Sequence, residues 1–104
     1  MSGTITAGSV GFKFVTFTGT LGAVGTSQTI AYPTGVTYTN IIMANGFTTY
    51  SGIGLLPFTY YTPADAGWLV ALYPSSSGYF QITIPSTSTN AAGHTFTLYV
   101  MYAP

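Results

Sequence analysis

The sequence predicts an all-β domain, an antiparallel β-sandwich or jelly roll of about eight short strands. Apolar and polar residues alternate over short stretches, and clusters of Gly, Pro, Asn and Ser separate these stretches at intervals of about ten residues. The stretches are rich in Thr, Tyr, Phe, Ile and Val, which strands favour. No window has the apolar spacing or the composition of a helix, and a single turn at residues 62–67 is the nearest approach.

The alternation and the turn signals place the elements in order. Strands are predicted at residues 11–18, 27–32, 38–44, 47–51, 57–61, 68–73, 79–84 and 94–102. The predicted connections are a Gly/Thr loop at 19–25, a Pro-Thr-Gly turn at 33–35, a hairpin turn at Asn45-Gly46, a hairpin loop at 74–78 and a Ser/Thr/Asn-rich crossover at 85–93. The chain therefore divides into a flexible N-terminal docking arm at residues 1–10 and one sandwich domain at 11–104.

The same alternation predicts which strand faces are buried. Phe80, Ile82 and Ile84 share one face of their strand, and the even-numbered residues of the last strand share another. Both faces of the first strand are partly apolar, and the strand at 68–73 is apolar throughout. Because a two-sheet domain of this size cannot cover both faces of these strands, neighbouring subunits are expected to cover them.

We accordingly expect a homo-oligomer, with a trimer favoured. The residues predicted to form its assembly interface are Phe12, Phe14, Phe17, Tyr99 and Met101. The chain has no net charge, which removes self-repulsion and favours association.

The near absence of charge also excludes several functions. The 104 residues include one Lys, one Asp and one His, and no Arg, Glu or Cys. Without cysteine there is neither a disulfide nor a thiolate metal site, and without a basic patch nucleic-acid binding is not expected. A single acidic side chain cannot supply the carboxylate pair of a glycosidase. We expect a protein that is not an enzyme, with no catalytic residues, no cofactor and no metal.

Each of the three titratable residues has a structural and a functional interpretation. Lys13 is either an edge-strand residue that discourages uncontrolled strand pairing or a ligand contact. Asp65 is a turn residue, a partner of Lys13 or a sugar contact. His94 lies in the core or faces solvent; the alternatives are a Ser/His/Asp triad, for which no Gly-x-Ser-x-Gly motif is present, and a metal ligand on a trimer axis.

Aromatic residues are the only group abundant enough to form a functional surface. The predicted receptor or glycan contacts are Tyr50, Tyr60, Tyr61, Asp65 and Trp68. Exposed Tyr and Trp beside hydroxyl groups stack on sugars and are also favoured at protein interfaces. The alternative is that these rings fill the core and the subunit interface.

Targeting signals are not visible in the sequence. The segment that starts Met1-Ser2-Gly3-Thr4 has no basic region followed by an apolar one, and Gly, Pro, Thr and Ser interrupt every apolar run well short of about 18 residues. We expect synthesis in a cytoplasm, no export and no membrane insertion.

Four segments together suggest a family: QTIAYPTGV at 28–36, NIIMA at 40–44, YFQITI at 79–84 and TFTLYVMY at 95–102. In these segments the chain resembles the C-terminal β-sandwich head domains of tail fibres and minor structural proteins of tailed bacteriophages. Val36 stands where that family usually has an aromatic residue. The resemblance implies trimers at a fibre tip or on a capsid, with loops that contact sugars or proteins of the host surface. Those loops correspond to residues 48–66 and 75–78.

The resemblance and the composition lead to one expected function and one alternative. The expected function is a non-enzymatic virion structural protein, assembled in the host cytoplasm, that contacts other virion proteins and host glycans. The chain starts at Met1 with no shaft, which favours a decoration protein or fibre cap over a fibre head. The alternative is an extracellular filament or surface-layer subunit that polymerises by N-terminal strand addition.

Overall fold

The computed structural model describes residues 11–50, 54–64 and 66–104, and these residues form an all-β sandwich, as predicted. Seven strands are present among them: β1 (Lys13–Thr20), β2 (Thr26–Ala31), β3 (Ile41–Tyr50), β4 (Gly54–Pro57), β5 (Ala71–Ser75), β6 (Tyr79–Ile84) and β7 (Thr95–Tyr102). They form a four-stranded sheet in the order β1-β7-β3-β4 and a three-stranded sheet in the order β2-β6-β5, both antiparallel. The predicted docking arm at residues 1–10 lies outside the described residues.

One apolar core lies between the two sheets. Its central side chains are Phe80, Ile82 and Ile84 from β6 and Phe96, Leu98 and Val100 from β7. The rings of Phe17 and Phe80 meet across the core, with centroids 6.1 Å apart. Because every second side chain of a strand points to the same face, the predicted alternation of β6 and β7 is confirmed.

The predicted hairpin at Asn45-Gly46 is wrong, because β3 continues through both residues. Asn45 lies opposite Tyr99 of β7, and Gly46 lies opposite Leu98. The Phe58 N–H donates to the Gly46 carbonyl at 2.9 Å, and the Phe58 ring fills the space where a side chain at position 46 would lie. Pairing with β7 and packing of Phe58 outweigh the local turn preference of Asn-Gly. The strands predicted at 38–44 and 47–51 are therefore one strand.

Two further predicted strands are displaced. The strand predicted at 57–61 is wrong, because β4 ends at Pro57 and the chain turns at residues 58–59. Trp68 and Val70 are buried in the connection that precedes β5, where the Val70 N–H donates to the Phe58 carbonyl at 2.9 Å. The run at 68–73 is apolar because its first half closes one end of the core. It is not a strand buried on both faces, since Tyr73 in β5 is exposed.

The crossover at 85–93, which joins the two sheets, lies where it was predicted and contains neither strand nor helix. Ser88 is fully buried there, and its hydroxyl donates to the Leu69 carbonyl. The N–H groups of Asn90 and Ala91 both donate to the Gly67 carbonyl at 3.0 Å. These bonds fasten the crossover to the connection before β5. No helix among the described residues has the length and hydrophobicity needed to cross a membrane.

Candidate functional site

The outward face of the four-stranded sheet is the main candidate site, and we call it the assembly face. Residues paired across neighbouring strands point to the same side of a sheet, so the strand register defines its members. They are Phe14, Thr16 and Thr18 of β1; Thr95, Thr97, Tyr99 and Met101 of β7; Met43, Asn45, Phe47 and Thr49 of β3; and Leu55 and Pro57 of β4. None of these side chains carries a charge.

An apolar row crosses three strands of this face. Met101 of β7 lies opposite Phe14 of β1 on one side and opposite Met43 of β3 on the other. Phe14 is 71% exposed, which leaves most of a large apolar side chain in water. Next to this row, the rings of Phe47 and Tyr99 pack edge to face with centroids 5.6 Å apart. The face therefore presents a row of apolar side chains and an adjacent aromatic pair among Thr and Asn residues, and exposed apolar clusters of this kind mark candidate interaction sites.

The outward face of the three-stranded sheet is different in character. There the Ser27 and Thr83 hydroxyls share a hydrogen bond of 2.9 Å, and the Tyr73 hydroxyl donates to the Gln81 side-chain carbonyl at 3.0 Å. Hydroxyl and amide groups that bond one another in this way are compatible with contact to water. The two outer faces therefore differ, with the apolar row on one and paired hydroxyl and amide groups on the other.

The structure places three of the five predicted interface residues on the assembly face: Phe14, Tyr99 and Met101. Phe12 is exposed immediately before β1. Phe17 points to the other side of the sheet and packs against the core, so it does not belong to the assembly face.

Sequence reasoning missed three apolar members of the assembly face, namely Met43, Phe47 and Leu55. The expected turn at Asn45-Gly46 separated Met43 from Phe47 and concealed that they lie on one strand. The alternation of Met43, Asn45, Phe47 and Thr49 was a signal for their common face.

The structure brings together three of the five residues predicted to contact a glycan. Tyr50, Tyr60 and Trp68 line a cavity of about 150 Å³ together with Leu56. Trp68 is only 8% exposed, because its ring packs edge to face against Tyr50 and against His94, with centroids 5.3 and 5.0 Å away. The Trp68 ring thus offers little free face for stacking. Tyr61 is exposed and does not line this cavity, and Asp65 lies outside the described residues.

Apart from tyrosines, the titratable side chains in the described part of the chain are those of Lys13 and His94. Lys13 is exposed at the first position of β1, which is an edge strand of the described part of its sheet, in accord with its edge-strand interpretation. His94 is half-buried and has the indole of Trp68 as its ring partner. The His94 ring therefore packs on the indole of Trp68, with centroids 5.0 Å apart.

Comparisons with known proteins give no match: no protein-family model fits the chain, and no curated protein or solved structure matches it. The fold and the two faces of the sandwich are therefore the basis for assigning a function.

Proposed function

We propose that this chain is a non-enzymatic structural subunit of a virion, such as a capsid decoration protein, a fibre cap or a fibre-head module, and that it assembles through its assembly face. The observation that carries this proposal is an uncharged outward face that holds the apolar row of Phe14, Met101 and Met43 and the rings of Phe47 and Tyr99, opposite a face of paired hydroxyl and amide groups on the other sheet. Burial of apolar surface at about 25 cal/mol per Å² drives association. The near-zero charge of the chain leaves no repulsion between copies.

The size of the assembly face sets the expected strength of one contact. Four strands spaced about 4.8 Å apart, with about seven residues at 3.4 Å each, present a plane of roughly 450 Å². Two such planes together bury about 900 Å², less than the roughly 1,200–2,000 Å² of a stable interface. One pairwise contact is therefore weak, and a closed ring such as a trimer, or attachment to a particle, supplies the additional contacts.

The first experiment measures the solution mass of the purified protein by light scattering over a concentration series, with negative-stain images of the same samples. A discrete species, with three subunits favoured, supports a closed structural subunit. Open polymers of uniform width would instead support the extracellular filament, because a head-to-tail contact that does not close gives fibres. A monomer at every concentration would overturn assembly through this face.

A pair of matched variants locates the contact. Phe14→Lys puts a charge at the edge-strand end of the apolar row, whereas Tyr73→Lys makes the same change at an exposed aromatic residue on the opposite sheet. We expect Phe14→Lys to weaken assembly about tenfold or more, because a charge would have to be desolvated, and Tyr73→Lys to leave it unchanged. Equal effects of the two variants would place the interface elsewhere. Circular dichroism controls for folding.

Attachment to a particle is tested separately. When the chain is produced in infected cells, we expect it to co-sediment with purified virions. Removal of residues 1–10 is expected to abolish co-sedimentation and to leave circular dichroism and thermal unfolding unchanged. If that removal unfolds the domain, the division into arm and sandwich is wrong. If the full chain never accompanies particles, the virion proposal is wrong.

A further inference from the structure

A second concave surface lies at one end of the sandwich, and we call it the tyrosine groove; none of its lining residues belongs to the assembly face. It lies between the segment after β2 and the turn that joins β5 to β6, and it has a volume of about 590 Å³. Its lining residues are Tyr32, Val36, Thr37, Tyr38, Thr39, Ser76 and Gly78. Volumes of about 300–1,000 Å³ are typical of small-molecule sites.

Tyr32 holds one wall of this groove in place. Its N–H donates to the Gly78 carbonyl at 3.0 Å, and its hydroxyl donates to the Ser75 carbonyl at 2.6 Å. Its ring packs edge to face on Phe80, a fully buried core residue, with centroids 4.8 Å apart. The β5–β6 turn is thereby tied to the end of β2. Gly78 has a φ of 100°, a conformation that few residues other than glycine adopt.

Asn40 holds the opposite wall. Its side-chain carbonyl accepts the Thr37 N–H at 2.7 Å, and its amide group donates to the Gly35 and Ala103 carbonyls, each at 2.8 Å. The Ala103 N–H in turn donates to the Asn40 carbonyl at 2.9 Å. Both walls are therefore set by hydrogen bonds before any ligand arrives, which lowers the ordering cost of binding.

The groove combines aromatic rings with hydroxyl groups, and none of its described lining residues carries a charge. Tyr38 is 51% exposed, so a large part of its side chain is open to a ligand. Thr37, Thr39 and Ser76 add hydroxyl groups; those of Thr37 and Thr39 share a hydrogen bond of 3.2 Å, and each can still form a further bond to a ligand. Val36 is buried and supplies an apolar surface beneath them.

We propose that the tyrosine groove binds a neutral carbohydrate of one or two sugar rings, with Tyr38 as the aromatic contact and Thr37, Thr39 and Ser76 as hydroxyl partners. A sugar ring has an apolar C–H face and a polar rim, and this lining offers a surface for each. An anionic or cationic ligand finds no opposite charge here. The site uses none of the residues of the assembly face, so the inference goes beyond the proposed function and does not depend on it.

This site differs from the glycan contacts that the sequence predicted. Those centred on Trp68, whose ring is buried, whereas the tyrosine groove has an exposed tyrosine and a larger volume. The turn at 75–78, which the bacteriophage resemblance implied as a contact loop, forms one side of the groove.

Saturation-transfer NMR tests the proposal with a panel of neutral sugars: glucose, galactose, N-acetylglucosamine, maltose and lactose, with sialic acid as an anionic comparison. This method observes the sugar, so it works on a monomer and on an assembly alike. We expect a millimolar or tighter dissociation constant for at least one neutral sugar. Tyr38→Ala is expected to weaken it about tenfold or more, in line with loss of a central aromatic contact, and Tyr38→Phe to retain most of it.

Tyr61→Ala is the matched control, because Tyr61 is a comparably exposed tyrosine at another place. Binding that is unchanged in Tyr61→Ala and lost in Tyr38→Ala supports the site. No binding of any neutral sugar, or binding that Tyr38→Ala leaves intact, would overturn it. Phe14→Lys should alter the solution mass and leave sugar binding unchanged, so failure of the groove and failure of the assembly proposal give different results.

Discussion

At the scale of single residues, Thr48 lowers the stability of the core. It lies on the inward side of β3, opposite Phe96 of β7, and is 1% exposed. Its hydroxyl oxygen is buried and has no hydrogen-bond partner among the residues that the structure describes. A buried hydroxyl without a partner loses its bonds to water and gains nothing in return, at a cost of about 1–3 kcal/mol. A residue of the same shape without the hydroxyl would therefore give a more stable core at this position.

We predict that Thr48→Val raises the free energy of unfolding by roughly 1 kcal/mol, because it keeps the shape and removes the unpaired oxygen. For a domain of this size that corresponds to an increase of about 4–8 °C in the melting temperature. Thr48→Ser, which keeps the hydroxyl and loses the methyl group, should lower the melting temperature. A Thr48→Val variant that melts below the original protein would show that the hydroxyl is satisfied in solution.

At the scale of elements, β3 is the strand on which the candidate assembly face depends. It pairs with β7 on one side and with β4 on the other, so it connects the apolar row at Met43 to Leu55 at the sheet edge. Its continuity depends on the close approach of Phe58 to Gly46. A side chain at position 46 would occupy the space of the Phe58 ring, and the 3% exposure of Phe58 leaves that ring little room to move.

We predict that Gly46→Ala lowers the free energy of unfolding by about 1–3 kcal/mol, the usual cost of overpacking a core. Gly11→Ala is the control, because a Cβ at Gly11 meets no atom of the described residues within 4 Å, and we expect it to stay within about 0.5 kcal/mol of the original. Denaturant unfolding measures both. Equal stabilities would mean that Phe58 does not pack on β3 as the structure shows.

At the scale of the whole molecule, the lack of charge determines the response to pH. Acid unfolding usually arises from carboxylates that are paired in the folded state, and this chain has a single acidic side chain. Burial raises the pKa of the Tyr32 phenol above its ordinary value. The unfolded chain therefore loses the Tyr32 proton at a lower pH than the folded protein does. Stability from this group is complete below about pH 10 and falls as the pH rises further.

We predict a nearly constant melting temperature between about pH 3 and 9 and a decline above about pH 10. Thermal unfolding across a pH series tests both parts. Tyr32→Phe, which cannot ionise, should show a shallower alkaline decline, although its melting temperature is lower throughout because the bond to Ser75 is lost. A change of tens of degrees between pH 3 and 9 would contradict the argument from composition.

Local patterns in the sequence predicted the all-β class and the buried faces of β6 and β7, and the composition showed the near absence of charge. Strand alternation has a period of two residues, so Phe80, Ile82 and Ile84 reveal their common face without knowledge of any other strand. The turn at Pro33 was equally local, and the Val36 N–H donates to the Pro33 carbonyl at 3.0 Å as a turn requires.

The tertiary structure decided what depends on contacts between distant residues. Asn45-Gly46 suits a hairpin turn by itself, and only β7 and Phe58 make it part of a strand. The Trp68 ring is of a type that stacks on ligands, but in the folded protein Tyr50 and His94 pack against it and it is buried. The tyrosine groove joins segments more than thirty-five residues apart, Tyr38 and Ser76, through the bonds of Tyr32 and Asn40. A sequence records the preferences of each segment, whereas packing free energy is shared among segments that meet only when the chain is folded.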